Sequence, residues 1–274
     1  MTTWRPDGRP RRKVRVLSRH ATRHELAVVL LALIVGLGFL LPSTAFAQQP
    51  DAPPPDPGTW VGTAGAGLAL TSGNSDTLNF NLAFDATRDP KTRNVMKWTG
   101  LFIRGEQDDA LVANRLSLAF RDQYALSDRS FVFGQLDYLR DTFKLIDCLI
   151  APTAGLGYKL VDTGITKFAV DGGLGVVWEK NPDRDVRASM ALTAGEKLEH
   201  QLTPTSTIKH AATGLWKAND LSDGLYTLSV GLGTKISEQL QLSVDLLDTF
   251  KNRPPTPATK KNDVALVTAI TAKF

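Results

Sequence analysis

Beyond residue 47, His200, His210, Cys148 and a scatter of serines are the side chains whose types could carry acid–base or nucleophilic chemistry. A lipase-like centre needs a serine hydroxyl within hydrogen-bond reach of an imidazole. His200 closes one expected strand and His210 lies in the next, across the tight turn Thr203-Pro204-Thr205. Ser189 is about a strand length away and Ser206 sits in the turn, so no serine is placed beside either ring. The histidine spacing of ten fits neither adjacent helical turns nor a compact zinc loop, and one cysteine cannot complete a metal set. There is no Gly-x-Ser-x-Gly and no phosphate-cradling glycine loop. The Gly-x-Gly pairs at Gly65 and Gly67, Gly155 and Gly157, Gly173 and Gly175, and Gly231 and Gly233 lie inside extended segments, where small residues relieve crowding. We therefore assign no catalytic, cofactor-binding or metal-binding residue.

The remaining chemistry is charge. Asp85, Arg115, Arg121, Asp171, Glu179, Lys197, Glu199, Lys209, Lys217 and Asp245 fall on the polar face of alternating segments. A pore that selects one ion sign needs a one-sided ring. Mixed signs suit ion pairs across an enclosed aqueous space.

The elements that would enclose that space are strands. In 77–87, Leu78, Phe80, Leu82 and Phe84 alternate with Asn79, Asn81, Ala83 and Asp85; 168–179, 225–235 and 239–249 repeat the pattern. This period of two, broken every 15 to 20 residues by turn chemistry, specifies an all-β chain. Candidate strands are 60–71, 77–88, 93–105, 112–126, 130–143, 152–161, 166–179, 187–202, 206–218, 223–236, 239–252 and 264–274. They are twelve in number, and most exceed the five or six residues usual in soluble sheets. Connections after even-numbered strands are tight. Those after odd-numbered strands, 106–111, 144–151, 180–186, 219–222 and 253–263, are longer, with 72–76 the exception. The expected fold is a transmembrane antiparallel up-and-down β-barrel with its short turns periplasmic. Trp60, Trp98, Trp178, Trp216, Tyr124 and Tyr138 fall toward strand ends, as interfacial girdles do.

The ends of the chain give the compartment. Residues 1–25 hold eight Lys/Arg against Asp7 and Glu25; an apolar run from Leu26 to Leu41 and an Ala45-Phe46-Ala47 site follow. This is a signal peptide over 1–47, cleaved before Gln48, with an apolar stretch too short to span a bilayer as a helix. Of 32 basic and 28 acidic residues, 24 and 26 lie beyond residue 25, so the net charge of +4 becomes −2 there and no nucleic-acid partner is indicated. Residues 48–59, with five prolines, form a tether, and 60–274 the barrel. Val264, Leu266, Ile270, Ala272 and Phe274 share one face of the last strand. A terminal aromatic there resembles the signal read by barrel-assembly machinery.

Further motifs carry a resemblance. Ser72-Gly73-Asn74-Ser75-Asp76-Thr77, Asn114-Arg115, Tyr138-Leu139-Arg140-Asp141-Thr142-Phe143 and Gly155-Leu156-Gly157-Tyr158-Lys159-Leu160 resemble, in order and spacing, the salt-induced outer-membrane protein family of unknown function, domain-of-unknown-function family 481. The similarity covers about Trp60 to Phe274. It implies an outer-membrane barrel in contact with lipid, without established activity and without catalytic residues to transfer. The expected function is a non-enzymatic envelope barrel, structural or a narrow small-solute channel. The alternatives are a lipid-acting barrel enzyme, which would lose activity on replacing His200 or His210, and a secreted soluble β-sandwich, which would need no detergent.

Overall fold

The computed structural model describes residues 57–73, 77–107 and 110–274. The signal-peptide reading, most of the tether, and Asn74, Ser75 and Asp76 of the first motif lie outside the described residues. Twelve antiparallel strands run as β1 (Trp60–Ser72), β2 (Thr77–Arg88), β3 (Asn94–Gln107), β4 (Ala110–Ala125), β5 (Ser130–Asp141), β6 (Ile146–Asp162), β7 (Thr166–Lys180), β8 (Arg187–Gln201), β9 (Ser206–Lys217), β10 (Asp220–Lys235), β11 (Leu240–Lys251) and β12 (Asn262–Lys273). Each pairs with its sequence neighbours, and β1 pairs with β12 to close the barrel.

Alternation determines which way each residue faces. Leu78, Phe80, Leu82 and Phe84 are 61%, 47%, 45% and 38% exposed, whereas Asn79 and Asn81 between them are 2% and 0% exposed. The apolar positions thus cover the outer wall and the polar ones line the lumen, the reverse of a soluble globule. Closure runs to the last residue. The Phe274 carbonyl accepts from the Gly62 N–H at 3.0 Å and its own N–H donates back at 3.1 Å, completing the pairing Thr63↔Lys273 to Ser72↔Val264. Trp60, Trp98 and Tyr124 point outward near the rim that carries both described ends of the barrel; Trp178 does so near the opposite rim.

The terminal rim has the expected tight connections, each three to five residues between Arg88 and Asn94, Ala125 and Ser130, Asp162 and Thr166, Gln201 and Ser206, or Lys235 and Leu240. The opposite rim, here the loop rim, differs from the sequence reading. Most of 106–111 and 144–151 is strand: β3 runs to Gln107, β4 starts at Ala110 and β6 starts at Ile146. Ile146, Leu149 and Ala151 turn inward and are 0%, 3% and 0% exposed, so burial extends the strand past Pro152. Register shifts at Gly105/Glu106, Leu139/Asp141 and Asp220/Gly224 absorb the odd residues on this rim. The segments 181–186 and 252–261 remain as its longer loops.

Candidate functional site

Strand pairing places all ten sequence-selected charges on the lumen face, and the structure sorts them by height. Nearest the loop rim, Glu179 on β7 accepts from Lys251 on β11 at 2.6 Å and pairs with Lys217 on β9 at 2.8 Å. Lys217 also reaches Asp223 at 2.6 Å. Arg115 on β4 donates through Nη1 to Thr249 on β11 at 2.8 Å and lies 3.6 Å from Asp141. Two of these contacts, Glu179 with Lys251 and Arg115 with Thr249, join strands four and five places apart around the barrel, so opposite walls meet across the lumen at this level. Asp141 in turn accepts the backbone N–H groups of Phe143 and Lys144 at 3.0 and 3.2 Å, which shapes the β5–β6 turn.

The loop 252–261 is fastened over that end. The fully buried Lys144 ammonium donates to the Lys261 carbonyl at 2.6 Å and pairs with Asp263 at 2.9 Å. Lys260 donates to the Gly73 carbonyl at 2.6 Å, Arg184 to the Pro255 carbonyl at 3.1 Å, and Arg253 pairs with Asp220. Gly73 holds a φ of +138°, a conformation that strongly favours glycine.

In the same half of the barrel, apolar side chains also turn inward. Leu139, Ile146, Leu149, Val177 and Ala191 pack with Leu215 and Leu225; Ala69, Ile103, Ala265 and Val267 pack with Leu101, Phe143 and Leu247. Phe143 of the family-like motif therefore belongs to the plug.

Below the plug lies a chamber of about 250 Å³, lined among others by Arg121, Gln135, Asp137, Asp171, Thr193 and Lys197. Arg121 donates to Asp171 at 2.9 Å and to Gln135 at 2.8 Å, and its guanidinium lies 3.8 Å from the Phe133 ring centroid. The glycine motif explains the room for these rings. A Cβ on Gly157 would collide with Phe131, and one on Gly155 with the Gly172 carbonyl and Phe133. Both glycines thus serve close approach inside the lumen, whereas Tyr158, next to Gly157, faces outward and is 44% exposed. Toward the terminal rim the lumen widens into a polar vestibule of about 350 Å³, lined by Asp85, Glu199, Lys209, Lys235, Asp245 and Lys273, among others. Asp85 pairs with Lys97 at 2.8 Å, both more than a third exposed. On that rim, the hydrogen bond from Lys91 holds the Asp89 carboxyl below the usual carboxylate range.

Sequence reasoning missed Lys97, Asp137, Lys144 and Lys251. Lys97 alternates with Trp98 and was open to the same period-two logic; Lys144 was hidden in an assumed loop. Neither histidine lines the lumen: both share the outer face with Leu198 and Ile208. His200 Nδ1 lies 2.8 Å from Thr166 Oγ1, and His210 Nε2 lies 3.0 Å from Glu196 Oε1. Among the described residues, no serine joins either ring and no group of three His, Cys, Asp or Glu is placed to hold a metal. Cys148 is a free thiol within β6.

The family described as protein of unknown function, DUF481, matches residues 64–274. The chain belongs to this family. No curated protein is similar to this family member in sequence. Among solved structures, the NanC porin is similar with a TM-score of 0.52 at 9% identity, covering 77% of this chain and 100% of that one. The translocator domain of autotransporter NalP from Neisseria meningitidis gives 0.47 at 12% identity over 92% and 99% of the two chains. A KdgM porin in complex with disordered oligogalacturonate gives 0.45 at 8% identity over 78% and 99%. The likeness to NanC is one of fold: both are outer-membrane-type barrels.

Proposed function

We propose that the protein is a non-enzymatic barrel of the outer membrane, exported by cleavage after Ala47 and inserted by barrel-assembly machinery that reads the strand ending in Phe274. Its outer wall contacts lipid, its terminal rim faces the periplasm, and its lumen is a blind chamber open to that side. The observation that carries this reading is the pair of cross-lumen contacts, Arg115 to Thr249 and Lys251 to Glu179. A twelve-stranded barrel lies between the filled eight-stranded case and the open sixteen-stranded porins. Here the walls meet in one half and part in the other. The same geometry favours an envelope protein that holds a small solute over a free-flow pore.

Cysteine accessibility tests the reading. In a Cys148→Ala background, Glu199→Cys in the vestibule is expected to react with a membrane-impermeant maleimide supplied from the periplasmic side, and Ala265→Cys in the plug from neither side. Labelling of Ala265→Cys from outside the cell would overturn it. The salt-induced character suggested by the motifs concerns expression, and transcript levels under raised sodium chloride test it separately.

A further inference from the structure

Most ionised groups around the central chamber are paired. Arg121 has Asp171 and Gln135, and Arg115 has Thr249 and Asp141. Two groups of opposite sign lack a contact ion pair. Lys197, solvent-accessible in the lumen, has no contact ion pair and no hydrogen bond among the described residues, and feels Asp171 and Asp137 at longer range. Asp137 is held by the Gln135 amide, at 2.9 and 2.7 Å from its two oxygens, and feels the charges of Lys197 and Arg121 without a contact ion pair to either. Both line the same chamber and attract each other across it, but they are not in contact. The buried Thr193 hydroxyl and Arg121 Nε line it too and have no hydrogen-bond partner. Buried polar groups in native proteins are normally satisfied, and an exception calls for an explanation. Leu139, Leu149, Leu215 and Leu225 add an apolar roof on the plug side.

We propose that this chamber binds a small zwitterion with an apolar end, of the chemical class of an aliphatic α-amino acid. The carboxylate meets Lys197 and the Thr193 hydroxyl, the ammonium meets Asp137, and the aliphatic group lies against the leucine roof. The volume of about 250 Å³ corresponds to roughly eight waters at ~30 Å³ each, which suits a ligand of this size and excludes an oligosaccharide. A lone anion would leave Asp137 facing it, and a lone cation would face Lys197; a zwitterion satisfies both. Phe133 stacked on Arg121 fixes the chamber floor, so the ligand meets a preformed site. Entry from the vestibule rests on the lumen reading above, but binding does not.

Titration calorimetry on the refolded barrel in detergent, where either rim is open to solute, separates the two. L-Leucine is expected to bind, and its isosteres 4-methylpentanoate and 3-methylbutylamine, each lacking one charge, to bind at least tenfold more weakly. Lys197→Met and Asp137→Asn are each expected to weaken L-leucine at least tenfold. Thr193→Val removes a hydroxyl that supports no other residue, so it is expected to weaken binding several-fold while the barrel keeps its folded electrophoretic mobility. No heat with L-leucine, equal heats with the isosteres, or unchanged affinity in Thr193→Val would each overturn the proposal and leave the blind-barrel reading untouched.

Discussion

Glu196 Oε1 and His210 Nε2 lie 3.0 Å apart on the outer wall of the barrel, on neighbouring strands β8 and β9. Direct pairing sets Ala212 beside Glu196 and Leu198 beside His210, so an apolar surface surrounds the contact. A carboxylate facing hydrocarbon is costly, and its imidazole partner offsets that cost.

Removing one partner of this contact should hurt more than removing both. His210→Leu is expected to destabilise the barrel by about 1–3 kcal/mol, the penalty of an unsatisfied polar group. The double variant Glu196→Leu/His210→Leu should recover most of that loss. Urea unfolding in lipid vesicles, analysed as a double-mutant cycle, measures the coupling; additive single effects would show that the two groups act independently.

The lumen glycines should resist enlargement. Gly157→Val drives its side chain into the Phe131 ring and is expected to cost about 1–3 kcal/mol, as overpacking does elsewhere. Gly134→Ala is the control, since nothing lies within 4 Å of a Cβ there. Equal effects of the two substitutions would count against a lumen-packing role.

Lys144 should govern the lid. Lys144→Met removes the bonds to Lys261 and Asp263, and the 252–261 loop is expected to become several-fold more sensitive to limited proteolysis. Cleavage at wild-type rates would mean that Arg184, Arg253 and Lys260 suffice to hold it.

Much of the architecture was legible before the structure, for a physical reason. A strand between lipid and lumen must alternate at every step, as β2 does, so the period-two signal is strong and boundaries such as 77–88 match to the residue. The start of β6 was not legible. Pro152 lacks an N–H and invites a strand end, yet it sits within β6 opposite Leu136. Ile146, Leu149 and Ala151 are inward-facing and apolar, so the simple rule of polar inside and apolar outside misreads them. The plug and its lid depend on side chains from β4, β7 and β11 meeting across the lumen, a relation that no local pattern encodes. The inward orientation of Asp171 and Lys197 could be read from alternation; that Lys197 shares a chamber with Asp137, three strands away, could not.

Folding in a membrane environment should leave a simple signature. The mature chain refolded in detergent is expected to migrate differently before and after boiling, because a closed barrel pairs its backbone without edges. Deleting Phe274 removes two backbone bonds to Gly62 and should lower the folded fraction. Identical mobility, with solubility in the absence of detergent, would instead indicate a soluble β-protein.

Conductance in a planar bilayer tests the central claim most directly. With Arg115 bonded to Thr249 and Lys251 to Glu179 across the lumen, the reconstituted wild-type barrel is expected to show no stable open level. Large, stable, weakly selective conductance from the wild-type protein would contradict a lumen closed toward the outer side.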